Sequence, residues 1–457
     1  MRRLLVTALT LLLLAPAADA ATRHVVRGRG FGHGVGLSQY GAYGYAQHGR
    51  SYRDILSHYY RRTGVLKTSL GRVRVLLQAS RSSVRFRGAS RLAGVRGLDR
   101  RATYTVRPSG GLLGLFRGRK LRGRYRTLRV YRGGGSVRLL GRSINGITAG
   151  RYGGSLDLRP GASGGVTVIN RIKIDQYVRG VVAGEMPSSW ALEALKAQAV
   201  AARTYAVATR KRGGAFDLYP DTRSQVYKGV AGETANTNRA VRATARQVVV
   251  NIGGSPIVTY YFSTSGGHTE NVENSFLGSD PSPWLVGVDD PYDGISPRHR
   301  WSLRFTTGQL DRRLGRYAPG SFRKIKVLER GVSPRIVGAR VYGSAGSRVI
   351  TGPRLRSRLD LYDTWAYFST VSTSQVDYSI VRAAGWDADS LPLTIHGTFT
   401  PAPRSRRLAI ERRRRGRWVR VGTARTGRGG RYSVDVPRRG LYRVRSGSVA
   451  GPAVRVI

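Results

Sequence analysis

Tyr177-Val178-Arg179-Gly180-Val181-Val182-Ala183-Gly184-Glu185-Met186-Pro187 and, shortly after it, Ala194-Leu195-Lys196-Ala197-Gln198-Ala199-Val200-Ala201-Ala202-Arg203-Thr204-Tyr205-Ala206 decide how this chain reads. The first stretch is apolar and rich in β-branched valine, the signature of a strand. Pro187-Ser188-Ser189 offers a cap, and Trp190 to Lys211, closed by Gly213-Gly214, predicts a helix. That helix is apolar nearly all round and should be buried. Glu185 stands alone between the two. Burial there would raise its pKa towards neutrality, as a general acid requires. Arg203 is one of few charges inside the alanine-rich stretch and needs a partner or a ligand. Two readings follow from these residue types: a catalytic glutamate, or a Glu185–Arg203 ion pair that only orders the fold.

Working outward, residues 71–174 carry short runs of period two, among them Arg72-Val73-Arg74-Val75-Leu76, Val84-Arg85-Phe86-Arg87 and Val166-Thr167-Val168-Ile169. With glycine turns between them they predict antiparallel sheet with arginines on the wet face. On the N-terminal side lies Gly28-Arg29-Gly30-Phe31-Gly32-His33-Gly34-Val35-Gly36-Leu37-Ser38-Gln39-Tyr40-Gly41-Ala42, whose alternate glycines admit a close neighbour, with a helix starting near Ser38. A second helix is expected over 236–247 and a hairpin over 248–262. The hairpin leads into a hydroxyl-rich loop, Tyr261-Phe262-Ser263-Thr264-Ser265-Gly266-Gly267-His268-Thr269-Glu270, suited to hydrogen bonding a sugar or a peptide. Residues 371–392 read as a linker, and the short strands of 393–457 as a small immunoglobulin-like β-sandwich with a basic tip at Arg412 to Arg415. The fold class is therefore α+β: a core spanning residues 21–370 with antiparallel sheets and a buried alanine-rich helix, plus that sandwich as an accessory module.

The 457 residues hold no cysteine, which excludes disulfides, thiol catalysis and cysteine-ligated metal. Met1-Arg2-Arg3, the apolar run Leu4 to Leu14 and Ala18-Asp19-Ala20 read as a secretory leader, with cleavage expected after Ala20. Lys and Arg total 79 against 25 Asp and Glu, a net charge of +54. An exported chain meets little nucleic acid, so the charge either reads anionic cell-wall polymers or a membrane surface, or is simply solvated; anionic cell-wall polymers are the expected partners, with location outside the cell or in the wall.

Taken together, Asn170 to Asp175, the Gly184-Glu185-Met186-Pro187 site, the Ala194 to Ala206 helix, Gln225-Val226-Tyr227-Lys228-Gly229, Tyr261 to Glu270 and Gly32 to Ala42 resemble the SpoIID/LytB family of sporulation proteins and amidase enhancers. The resemblance covers roughly residues 24–368. It implies peptidoglycan glycan strands as substrate and lytic transglycosylase activity, with Glu185 as the catalytic acid. It implies Arg203, Tyr261, Ser265 and Tyr40 near the substrate, joined from the same motifs by Ser38, Gln39, His33, Ser263 and Gln225. Two departures stand out. The Gly-His-Gly run is N-terminal here rather than C-terminal, where it would have to fill the same place as a neighbouring strand. The zinc of some members uses cysteine, so no metal and no cofactor are expected. One glutamate suffices chemically, because the 6-hydroxyl of the muramoyl residue can replace water as nucleophile; Asp175, Asp217 and Asp221 are the candidates for a second carboxylate. The alternative is a non-catalytic wall-binding protein that enhances a partner amidase.

Overall fold

Arginine–valine alternation turns directly into sheet. In Val84–Arg87 the Val84 and Phe86 side chains are buried and both arginines are exposed. The computed structural model describes residues 21–94, 97–211, 213–376, 392–401 and 405–457; the expected leader and most of the expected linker lie outside them. Two units are defined, Phe31–His299 and a second made of the chain up to Gly30 with Arg300–Ile457. Mixed α+β is the class of the whole, with antiparallel pairing in every sheet but the two-stranded Leu37–Ser38/Tyr261–Phe262 one. No helix among the described residues is long and apolar enough to cross a membrane.

In the Phe31–His299 unit, one five-stranded sheet runs in the order Arg72–Arg81, Val166–Lys173, Ser155–Pro160, Leu128–Tyr131, Arg91–Leu92. A six-stranded sheet runs from Arg151–Tyr152 through Val137–Leu139, Val84–Arg87, Thr103–Ser109 and Leu112–Arg117 to Lys120–Tyr125. Their inward side chains, Val75, Leu77, Phe86, Val106, Leu156 and Val168 among them, belong to one apolar core. Val166–Lys173 then feeds straight into helix Ile174–Glu185.

That helix corrects the expected strand. Tyr177, Val178, Val181 and Val182 are all buried, a helical i, i+1, i+4, i+5 stripe. Packing of the stripe against the alanine-rich helix outweighs the weak β preference of valine. The alanine-rich helix spans Leu192–Thr209 and buries Ala194, Leu195, Ala197 to Thr204 and Ala206, so it is enclosed on nearly every side. Its N-cap is Ala191, without a side-chain cap, rather than the expected serines. The second helix, Ala235–Ala243, starts one residue early on a Thr234–Thr237 capping box.

The expected hairpin is present but short: the Asn251 N–H donates to the Ser255 carbonyl and the Ile257 N–H to the Val249 carbonyl on either side of the Val250–Pro256 bridge, while Gln247–Val250 forms its regular ladder with Gly64–Lys67. Pro256 has no N–H to extend a ladder. Tyr261–Phe262 instead pairs in parallel with Leu37–Ser38, which brings the N-terminal glycine run beside the hydroxyl-rich loop. Glycine at position 36 permits this: its φ is +75°, and a Cβ there would lie 2.2 Å from the Tyr260 carbonyl oxygen.

In the other unit, Ala21–Arg29 lies inside a sheet ordered Arg300–Phe305, Ala21–Arg29, Ala366–Gln375, Thr394–Thr400, Arg431–Asp435. Ala366–Gln375 crosses the boundary expected near residue 370 and pairs with Thr394–Thr400 from Thr370 to Gln375. Val25 and Val371 accordingly share an apolar cluster with Phe399, Leu408, Tyr442 and Val444. Phe322–Arg330, Ile336–Gly343 and Gly346–Thr351 form a three-stranded sheet beside helices Thr307–Leu314 and Gly352–Leu359, and Arg407–Arg414, Arg417–Arg425, Gly440–Ser446, Val449–Ala450 and Val454–Val456 form a five-stranded one.

Candidate active site

Glu185 is the last residue of its helix, where the chain turns into Met186-Pro187. Its side chain is mostly enclosed but the residue keeps part of its surface open. The Val226 N–H donates to its Oε1 at 2.8 Å, and the Tyr261 hydroxyl hydrogen-bonds the same carboxyl. Burial pushes the Glu185 pKa up; the two hydrogen bonds and the charge of Lys228 act against that without cancelling it. An acid held above the ordinary carboxylate range keeps more of its proton near neutrality than a surface glutamate does.

Tyr261 is itself fixed in position. Gln225 Nε2 donates to its hydroxyl at 2.9 Å and to the Ala202 carbonyl at 3.2 Å, while the Tyr177 hydroxyl donates to Gln225 Oε1 at 3.1 Å. His33 accepts the Val35 N–H through Nδ1 and donates from Nε2 to the Tyr261 carbonyl at 3.1 Å, which defines a neutral Nε2-protonated ring. Gln225 is buried and its amide is fully engaged, so it orients Tyr261 rather than facing a ligand.

Arg203 corrects the expected Glu185–Arg203 ion pair. Its side chain is fully buried, and Nε donates to Asp175 Oδ1 at 2.6 Å, not to Glu185. The rest of the guanidinium is spent on the Ala199, Gln247 and Val241 carbonyls. Arg203 thus ties the two helices and the Gln247–Val250 strand together and presents no donor to a substrate. The second-carboxylate candidates are likewise engaged elsewhere: Asp175 by Arg203, Asp217 by Arg74 and Asp221 by Arg223.

The glycine-run residues divide. Ser38 is buried; it caps helix Gln39–Gln47 by accepting the Gly41 N–H and donates to Asp293 Oδ1 at 3.1 Å. Gln39 is buried against Gln198. Ser265 is buried, its N–H donating to Asp293 and its hydroxyl accepting from Gly267 N–H. These three hold loops in place and are not ligand-facing. Tyr40 and Ser263 keep exposed surface and meet through Tyr40 N–H to the Ser263 carbonyl, 3.0 Å.

Sequence reasoning missed the aromatics beside them. Tyr43, one helical turn after Tyr40, stacks on Trp190 with ring centroids 4.6 Å apart and planes 6° from parallel. Tyr40 meets the same indole edge-on at 4.8 Å, and Tyr205 lies edge-on to Tyr261. All are partly exposed. The i, i+3 spacing of Tyr40 and Tyr43 was the available signal. A buried acidic pair was missed too. Asp293 accepts from the Ser265 and Gly266 N–H groups and pairs with His299 Nδ1 at 2.9 Å. Nearby Asp290 accepts the Tyr59 hydroxyl at 2.9 Å, and burial followed by the charge of Asp293 pushes its pKa up to about 7.

Known proteins resemble this chain over the segment that carries Glu185. The family described as Stage II sporulation protein matches residues 162–251, which contain Glu185 and the alanine-rich helix. The chain is 32% identical over 210 residues to stage II sporulation protein D of Bacillus subtilis, covering 42% of this chain and 59% of that protein. It is 30% identical over 210 residues, with the same coverages, to stage II sporulation protein D of Bacillus amyloliquefaciens. It is 42% identical over 135 residues to the amidase enhancer of B. subtilis, 29% of this chain and 17% of that protein. The match thus spans little more than half of the sporulation proteins and a smaller part of the enhancer. On these likenesses the segment 162–251 matches the Stage II sporulation protein family, and the chain is similar to stage II sporulation protein D and to the amidase enhancer over part of their length.

Proposed function

We propose that the chain is an exported, wall-associated lytic transglycosylase that cuts the MurNAc–GlcNAc backbone of peptidoglycan with Glu185 as its single acid and base. The observation that carries this reading is a mostly enclosed carboxyl, pushed up by burial and free of any arginine partner among the described residues, beside the partly exposed Tyr205 and Tyr261. Protonated Glu185 gives its proton to the glycosidic oxygen as the C1–O bond breaks. The carboxylate so formed takes the proton of the muramoyl 6-hydroxyl as that oxygen bonds to C1, which closes a 1,6-anhydro ring and restores the acid. Tyr261, pinned by Gln225 and His33, orients the carboxyl. Tyr40, Tyr43 and Trp190 offer flat apolar faces to sugar rings. Glycan strands stripped of stem peptides, incubated with the purified chain, should yield anhydro ends one water lighter than hydrolysis products.

The second reading, enhancement of a partner amidase, rests on the relative named amidase enhancer. It predicts no anhydro ends from the chain alone and faster wall digestion when an amidase is added.

A further inference from the structure

The unit that contains Arg300–Ile457 has a cleft of about 700 Å³ bordered by Ala21–Arg29, Phe322–Arg330, Ala366–Gln375 and the end of Thr394–Thr400. We propose that this cleft binds an amphiphilic anion: an alkyl chain carrying one negatively charged head group.

The cleft's lower wall is apolar, built from Leu310, Phe322, Ile325 and Phe368. His24, Thr370, Thr398 and Thr400 within it are already hydrogen-bonded to the protein. His24 Nδ1 meets Thr370 Oγ1 at 2.9 Å and its Nε2 meets Thr307 Oγ1 at 3.0 Å. Thr398 Oγ1 pairs with Ser372 Oγ at 2.8 Å. Burial pulls the His24 pKa down to about 4, against a small opposing effect of Asp311, so the ring is neutral and satisfied. A sugar or peptide seated there would lose water without gaining partners, whereas an alkyl chain gains from leaving water.

The rim has the opposite character. Arg27, Arg323, Lys324, Arg330 and Arg406 line the cleft, and no described residue lining it carries a carboxylate. Arg330 lies over the ring of Tyr367, which lines the cleft, at 4.7 Å, and its guanidinium donates to the Pro334 and Ala366 carbonyls, so its charge is fixed at the cleft wall. An anionic head at the rim with its tail on the floor satisfies both halves at once. This site is in the unit that lacks Glu185, and the proposal stands apart from the glycan-cleaving reading.

The test uses the full chain and calorimetry with octyl, decyl and dodecyl phosphate as monomers, octyl glucoside, and inorganic phosphate. Affinity is expected to rise about fourfold per added methylene. Octyl glucoside should bind at least about tenfold more weakly than octyl phosphate, and inorganic phosphate should not displace the alkyl probes, since charge-assisted contact and apolar burial are both required. Ile325→Asp should weaken dodecyl phosphate at least about tenfold and Ile325→Leu leave it near wild type. Arg323→Glu with Lys324→Glu should weaken it more than Arg354→Glu with Arg358→Glu, a control with the same change in net charge on an exposed helix. Affinity independent of chain length, equal competition by inorganic phosphate, or equal loss in the two charge-reversed pairs would overturn the proposal, because the general basic charge would then explain binding. Melting curves accompany every variant; if Ile325→Asp does not fold, the alkyl series and the paired charge reversals decide.

Discussion

Asp175→Asn isolates the most consequential internal contact of the glutamate-bearing unit. The change is nearly isosteric and removes only the charge that faces Arg203. Arg203 is fully buried while the Asp175 side chain is 30% exposed. Losing one partner of a buried pair costs roughly 3–5 kcal/mol. Water reaching the Asp175 side screens part of that, so the low end, about 3 kcal/mol, is expected. The carbonyls of Ala199, Gln247 and Val241 still receive the guanidinium but do not neutralise it. At roughly 2–4 °C per kcal/mol for a domain of this size, the melting temperature should fall by about 6–12 °C. The assay is thermal unfolding followed by circular dichroism, with glycan affinity measured below the transition. Affinity should be near wild type, since Arg203 gives a substrate no donor. A melting temperature unchanged within about 1 °C, combined with lost glycan binding, would refute the structural role and return Arg203 to the substrate site.

Three further outcomes are expected. Trp190→Ala should raise KM for glycan strands severalfold and lower kcat less, because the indole stacked on Tyr43 offers a face of roughly 0.5–1.5 kcal/mol beyond simple burial; an unchanged KM refutes the platform. Asp290 binds its proton more tightly folded than unfolded, so the unfolded chain releases protons first and stability falls as pH rises from the ordinary carboxylate range to about 7. Asp290→Asn should remove that slope and be relatively more stable above neutrality; urea unfolding at several pH values measures it, and a slope kept in the variant assigns the effect elsewhere. Retention on isolated walls should drop between about 0.1 and 1 M salt as the screening length shrinks from about 10 to about 3 Å; sedimentation unchanged across that range would mean that the +54 charge is not what is read.

Much of this was legible in residue order because local pattern and burial agree. The Val84–Arg87 alternation and the all-round apolar stretch from Ala194 to Ala206 each admit one placement, and the structure supplies it. Tyr177–Val182 was not legible, because a β-branched run fits a strand or a helix stripe until its neighbour is known. The partner of Arg203 was hidden in the same way: Asp175 comes within reach only once the Ile174–Glu185 segment is helical and packs beside Leu192–Thr209. Glu185 was picked out by its isolation and by the Gly184-Glu185-Met186-Pro187 resemblance, yet its hold on Val226 and Tyr261 joins three distant segments. The Tyr43–Trp190 stack and the Asp290–Asp293 pair depend on loops meeting in space, which no spacing announces.

The most direct test of the account is Glu185→Gln, assayed for release of 1,6-anhydro-muramoyl ends from stripped glycan strands beside the wild type. Glutamine can still accept the Val226 N–H but has no proton to deliver, so turnover should fall by about 10²–10⁴-fold or more. Stability should hold or improve at neutral pH, because the variant no longer keeps a carboxyl whose ionised form burial disfavours. Wild-type turnover in the variant, or a wild type that releases no anhydro ends while accelerating an amidase, would contradict the assignment of Glu185 as the catalytic acid and base.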